Sequence, residues 1–285
     1  MDKIKVSEIF ESLQCEGFHM GVPSIFLRTF GCNFTCSGFS MPKGERSTER
    51  FLVDPAKYSK YEELPVISSG CDSYPSWDSR FKHLSPLLEI PAIVDRIQEL
   101  LPNKTFSTDQ HLILTGGEPL LGWQRAYPAL LDEIYARNLN LTHLTFETNG
   151  TQLLSDELIS SLMKWNNLKK LHVTFSVSAK LPCSGEPWEK AILPDRIAQY
   201  DLTNGACLVY LKFVVTSDED LQDVHKAVSE YRSAGFNGPV YIMPEGGITT
   251  PYNLHMQDVA KLAMKYGYRF SPRLQITLFG NQWGT

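Results

Sequence analysis

From about residue 90 onward this chain alternates short apolar runs with amphipathic ones, and that alternation limits its fold more than any other feature. HLILTG (111–116) has the length and apolar continuity of a buried strand. QRAYPALLDEIYARN (124–138) sets Ala129, Leu130, Ile134 and Tyr135 at helical spacing. HLTFETNG (143–150) predicts a strand and turn, 155–165 a helix, and LKKLHVTFSVSAK (168–180) a strand leaving the core. LVYLKFVV (208–215) is another strand. The helix after it has Ser217 as N-cap, Asp220 three residues on, an apolar stripe of Leu221, Val224, Val228 and Tyr231, and Gly235 as its stop. VYIMP (240–244) predicts a strand, 257–266 a helix and LQITLFG (274–280) a final strand. Repeated β–α–β alternation implies a mainly parallel sheet with outer helices and right-handed crossovers. Chemistry then belongs at the C-terminal ends of the strands, where TGGEP, ETNG, SAK and MPEG all fall.

The segment 37–70, SGFSMPKGERSTERFLVDPAKYSKYEELPVISSG, interrupts this order. It is polar and charged and carries Pro, Gly and Ser. It predicts a long surface excursion rather than a core element, and a loop of this length is usually functional or disordered. The expected organisation is one domain over 1–285 carrying this insertion.

With 42% hydrophobic residues the chain has material for a large core, and a formal charge of −5 disfavours an extended nucleic-acid footprint. No run reaches the ~18 apolar residues of a membrane span. MDKIKVSEIF lacks the apolar centre of a signal peptide. A cytoplasmic, reducing setting is expected. There the six cysteines (15, 32, 36, 71, 183 and 207) read as thiols or metal ligands rather than disulfides.

Cys32 and Cys36 lie four apart, just after the predicted strand IFLRTF. Two thiolates so spaced can reach one metal centre from a tight loop. Taken alone, the pair is more often two buried small hydrophobes. Cys207 lies in an apolar strand, Cys183 in a loop, and the seven histidines show no metal-ligand spacing. Most aromatic residues read as core, with Trp77 and Trp283 set apart as candidates for cofactor stacking.

The opening EIFESLQCEGFHMGVPSIFLRTFGCNFTC resembles that of 7-carboxy-7-deazaguanine synthases, in the radical-SAM superfamily. That family shows F-x-(S/T)-L-Q-G-E-G, then G-x-P-x-x-F-x-R, then a cysteine loop ending in C-D-T. Cys71-Asp72-Ser73 looks like that ending, displaced by the 37–70 insertion. Thr115-Gly116-Gly117-Glu118-Pro119, Glu147-Thr148-Asn149-Gly150-Thr151, Ser178-Ala179-Lys180, Met243-Pro244 and SPRLQITLFGNQWGT follow in the family's order. The resemblance covers nearly the whole chain apart from the insertion. TGGEP marks radical-SAM proteins broadly, and the two ends are the more specific signals. The chain departs from the usual CxxxCxxC, since Phe39 stands at the third cysteine position. Cys15 replaces a glycine, Ser73 a threonine and Ala179 a proline.

The resemblance implies a partial (β/α)6 TIM-like barrel and a lyase of queuosine-type 7-deazapurine biosynthesis. The lyase would convert 6-carboxy-5,6,7,8-tetrahydropterin to 7-carboxy-7-deazaguanine and ammonia. A reduced [4Fe–4S] cluster would cleave S-adenosylmethionine, and the 5′-deoxyadenosyl radical would take hydrogen from pterin C6. By the same resemblance Cys32, Cys36 and Cys71 hold the cluster, and Ser73 holds Mg²⁺. Gly70, Asp72, Gly117, Glu118, Asn149, Ser178, Lys180, Met243, Pro244 and Glu245 bind S-adenosylmethionine, Glu118 by accepting from its ammonium. Leu13, Gln14, Cys15, Glu16, Arg28, Thr115 and Thr285 bind the pterin, Arg28 through its carboxylate. A homodimer and a flavodoxin-like electron donor are the implied partners, with no membrane or direct nucleic-acid contact. Two other classes compete. One is an activase of a glycyl-radical enzyme, docking a protein through 37–70. The other is a degenerate radical-SAM fold used as a binding protein, suggested by the broken cysteine motif.

Overall fold

Continuous apolar runs, buried on both faces, set the centre of the sheet in the computed structural model. The model describes residues 2–201, 207–215, 218–246 and 249–285, with backbone alone for 249–254. A hairpin opens the chain: β1 (Lys3–Leu13) pairs antiparallel with β2 (Pro23–Thr29), Phe10 opposite Phe26. β3 (Leu87–Glu89) lies antiparallel on the other side of β1. The remaining strands are β4 (His111–Gly116), β5 (His143–Thr148), β6 (His172–Val177), β7 (Cys207–Val215), β8 (Val240–Pro244) and β9 (Arg269–Phe270). The sheet runs β3-β1-β2-β4-β5-β6-β7-β8-β9 and is parallel from β2 onward.

Outer helices complete the α/β layers. They are α1 (Ile90–Leu100), α2 (Tyr127–Ala136), α3 (Asp156–Lys169), the short α4 (Trp188–Ala191) and α5 (Pro194–Ala198), α6 (Asp218–Ser233) and α7 (Thr249–Tyr266). Ile93, Leu130, Leu158 and Val224 point inward from four of them onto Leu114, Phe146 and Phe175 of the strands. This is the mainly parallel, helix-covered sheet expected of a partial (β/α)6 barrel. Gly235 adopts φ +97° just beyond α6, as its stop role requires, and Ser217 lies outside the described residues. The α2 segment opens with a 3₁₀ turn (Gln124–Ala126), α7 begins eight residues earlier than expected, and β6 is shorter because α3 extends to Lys169.

Two expectations are corrected. LQITLF is not a strand but a helix, α8 (Leu274–Phe279), closed by Gly280 at φ +62°. Ile276 alone in this run is buried and Leu278 is half-exposed, a one-sided pattern that a short helix satisfies. Nor is 37–70 a bare surface excursion. Its 3₁₀ turns carry Val53, Tyr61, Leu64 and Ile67 into a second small core with Tyr74 and Phe81, so the packed unit continues to Leu84. The insertion also returns to where it left. Gly70 N donates to Phe39 O (2.8 Å) and Ser47 N to Ser37 O (2.7 Å), while Glu49 gathers the backbone N–H groups of Ser68 and Ser69. Residues 36 and 71 therefore meet despite the 34 residues between them.

Candidate active site

The C-terminal ends of β4, β5, β6 and β8 open onto a cavity of about 280 Å³, close to the size of small-molecule sites. Every candidate site residue from the sequence lines it except Glu118 and Pro244. At one end the Cys32–Cys36 loop faces Cys71, and the three cysteines pack with Phe34, Phe39 and Ala191. The loop is held from outside: Glu186 accepts from Thr35 N (2.8 Å) and Cys36 N (2.8 Å). Asn33 links it to Asn149 (2.9 Å) and Thr151 (3.0 Å) after β5. Gly117 is required at this contact, because a Cβ there would stand 2.5 Å from Gly31 O and 2.7 Å from Cys32 Cβ.

Burial pushes the Cys32 thiol up to about 12 and the Cys71 thiol up to about 11, and holds Cys36 well above its ordinary value. Apolar surroundings thus favour neutral thiols unless iron supplies positive charge. The donor set suits sulfur ligands bound to iron. Phe34 N donates to Cys32 Sγ (3.4 Å) and the Trp77 indole to Cys71 Sγ (3.3 Å), bonds that strengthen as sulfur gains charge. Among the described residues no three His, Cys, Asp or Glu side chains converge on a single ion. A cubane does not need that, since its cysteines bind different irons.

Lys180 donates to Ser178 O and Oγ (both 2.8 Å), and both residues line the cavity. Glu245 reaches the insertion, accepting from Ser40 N (2.7 Å). Glu118 does not face the cavity. It is wholly buried, accepting from Thr148 Oγ1 (2.7 Å), Leu120 N (3.0 Å) and Asn149 N (2.6 Å). Burial outweighs these bonds and pushes its carboxyl up to about 7. Here it braces the TGGEP turn against the ETNG turn instead of presenting an acceptor for an ammonium. Pro244 ends β8 behind the wall.

The opposite part of the cavity is a closed polar network. Lys212 Nζ, 1% exposed, donates to Glu16 (2.9 Å) and Glu147 (2.8 Å). Glu147 also accepts from Gln14 (2.7 Å) and Ser176 (2.9 Å), and Glu16 from Gln275 (2.9 Å) and Arg273 (3.3 Å). Burial would raise the Glu16 carboxyl, but Lys212 and Arg273 outweigh it and hold the group well below the usual carboxylate range. Arg273 also binds Asp72 and Gly246 O. Asp72 is therefore shared with a cation, and Ser73 Oγ donates to it (3.3 Å). Arg28 forms a buried ion pair, its Nε meeting Glu8 (2.6 Å), while its side chain lines the cavity. Cys15 Sγ donates to Leu13 O (3.2 Å), and burial pushes its thiol up to about 12.

Sequence reasoning assigned no role to Glu186 or Lys212, and it quoted Glu147, Arg273 and Gln275 only as parts of motifs, without a role of their own. A lone lysine inside the apolar run LVYLKFVV was a usable signal, because a buried ammonium demands partners. Glu186, in an ordinary loop, offered none.

No family model matches the chain. The 7-carboxy-7-deazaguanine synthase of Halobacterium salinarum is 30% identical, over 98% of this chain and 91% of its own. That of Rhodopirellula baltica is 26% identical, over 98% and 88%. Among solved structures, the crystal structure of QueE from Escherichia coli superposes with TM-score 0.51 at 18% identity, over 95% of this chain and 93% of the other.

Proposed function

This chain belongs to the 7-carboxy-7-deazaguanine synthase family, radical-SAM lyases of 7-deazapurine biosynthesis, and from that premise we propose that its cavity converts 6-carboxy-5,6,7,8-tetrahydropterin to 7-carboxy-7-deazaguanine and ammonia. One observation carries the reading. Thiols from two segments separated by the insertion meet at one end of a cavity whose other end is an ordered set of carboxylates and cations.

Cys32, Cys36 and Cys71 would hold a [4Fe–4S] cluster, with S-adenosylmethionine beside it against Gly70, Gly117, Asn149, Ser178, Lys180, Met243 and Glu245. Bound together, the cluster and S-adenosylmethionine supply the radical chemistry that begins the reaction at pterin C6. This chain's own residues position and shield. Phe34, Phe39 and Ala191 pack against the three thiols and give them an apolar flank. Gly117 lets backbone approach where a side chain would block it. Glu118 fixes the two turns that frame the cofactor. Arg28 would receive the substrate carboxylate, with Glu8 fixing its plane. Leu13, Gln14, Cys15, Glu16, Thr115 and Thr285 would complete the pterin site. Ser73 would offer its hydroxyl to Mg²⁺, with Asp72 adjacent. A homodimer and a flavodoxin-like donor remain expectations of the family.

Anaerobic reconstitution followed by turnover tests the reading. Wild-type protein should bind about four irons and release the deazaguanine and ammonia in equal amounts. Cys71→Ala should lose the cluster, whereas Phe39→Ala should keep it. A full cluster in Cys71→Ala would overturn the ligand assignment. A loaded wild type inert towards the carboxytetrahydropterin would overturn the substrate.

A further inference from the structure

A residue from the far end of the chain packs against the second small core. Trp283 enters between the insertion and the segment after Cys71. Its Nε1 donates to Leu64 O (2.8 Å), and its ring meets Tyr61 edge-on at 5.1 Å and Tyr74 at 6.2 Å. Tyr61 in turn bonds Ser76 Oγ (2.6 Å), and Ser76 O accepts from Gly31 N (2.7 Å) in the cysteine loop. The unit thus grips both the cluster loop and the last residues. Asn281, Gln282, Trp283 and Thr285 line the same cavity as Arg28. Apart from this socket, the bonds of these residues stay within the C-terminal segment: Asn281 N donates to Gln275 O (3.3 Å), Gln282 N to Phe279 O (3.3 Å) and Thr285 Oγ1 to Gln282 O (2.6 Å).

We propose that the packed unit 37–84 is a positioning device, and that Trp283, packed against its core, fixes 281–285 as a wall of the substrate end of the cavity. The proposal rests on the lyase reading above and assigns the insertion an inward task. Trp283 is a positioning residue: its indole N–H and ring edges are spent on Leu64, Tyr61 and Tyr74. An indole bound on one edge and packed on two aromatic neighbours has little rotational freedom, so the backbone leading from it to residue 285 is held as well. Without that anchor, the substrate would have to order this wall on binding, and the cost would appear in KM rather than in kcat.

The test uses full-length, cluster-loaded protein. Trp283→Ala should raise KM for the carboxytetrahydropterin by about tenfold with kcat nearly unchanged, and S-adenosylmethionine affinity should stay at the wild-type value. Hydrogen exchange should rise at 281–285 and not in β2 or β4. Trp283→Phe keeps the ring and loses the N–H bond, so its KM should fall between the two. Tyr61→Leu, on the insertion side, should reproduce the effect, and the double variant should add little to it. A wild-type KM in Trp283→Ala, unchanged exchange at 281–285, or additive effects of Tyr61→Leu and Trp283→Ala would overturn the proposal. If wild-type protein binds its cluster but does not turn over this pterin, the lyase reading fails, and the exchange and coupling of the same variants decide this proposal alone.

Discussion

Lys212 puts one ammonium between the carboxylates of Glu16 and Glu147, with 1% of its side chain exposed. An isolated buried ammonium is costly, and so is either carboxylate without it, so the three are stable only together. Lys212→Met keeps the length and removes the charge. Two close carboxylates are then left with Arg273, Gln14, Ser176 and Gln275 as their remaining donors. Breaking such a buried pair costs about 3–5 kcal/mol. The loss should depend on pH. Without Lys212, burial at Glu16 is opposed only by Arg273 and Gln275, so its folded pKa rises, and where it passes the unfolded value the folded state takes up protons that the unfolded chain does not. The deficit should be greatest above pH 7 and shrink towards pH 5. Urea midpoints of both proteins across that range check it, and a deficit independent of pH would refute this account of the network. Lys212 was legible in sequence only as a charge in the wrong place. Its partners come from the loop after β1 (Glu16) and from β5 (Glu147), with α8 reaching Glu16 through Gln275, and the apolar pattern does not specify how these segments meet.

At the scale of elements, the parallel strands were legible because burial on both faces leaves an unbroken apolar run, as in β4 and β8. α8 was not, because six residues of mixed apolar character fit either period. The small core that Trp283 packs against was also hidden, since 3₁₀ turns space Val53, Tyr61 and Leu64 at no regular interval. The two glycine-bearing turns were legible as motifs, and the structure gives their cause. A methyl group at Gly117 would meet Gly31 O and Cys32 Cβ, backbone and Cβ atoms that cannot swing aside. Gly117→Ala should therefore displace the cysteine loop, costing about 1–3 kcal/mol and lowering iron retention. Melting temperature and iron content of the anaerobically loaded variant measure both. Full iron with wild-type melting would show that the loop yields freely.

Across the whole molecule, the end of the sheet opposite the cavity carries a row of histidines that the sequence scatters far apart. His111, His143 and His172 begin β4, β5 and β6, and strand register aligns them. Their rings stack at 4.4 Å and 5.0 Å, with His19 edge-on to His111 at 4.6 Å. No linear spacing announces such a row, because register creates it. Burial first, and then the neighbouring imidazoles, lower His111 to about 3 and His19 to about 4. Both are therefore neutral in the folded state at pH 5, whereas in the unfolded chain they titrate near 6.5. As pH falls below about 6.5, the unfolded chain takes up protons that the fold refuses, and stability declines. Glu118, raised to about 7, works the other way: between its unfolded value and 7 the fold holds the extra proton, which adds stability as pH falls. The wild-type profile mixes the two, so the row is isolated by difference. His111→Phe keeps a ring against His143 and removes both the titrating group and a buried Nδ1 without a partner among the described residues. Between pH 7.5 and 5 this variant should lose about 1–2 kcal/mol less stability than wild type. Parallel urea-midpoint profiles for the two proteins would show that the histidine row does not govern the acid limb.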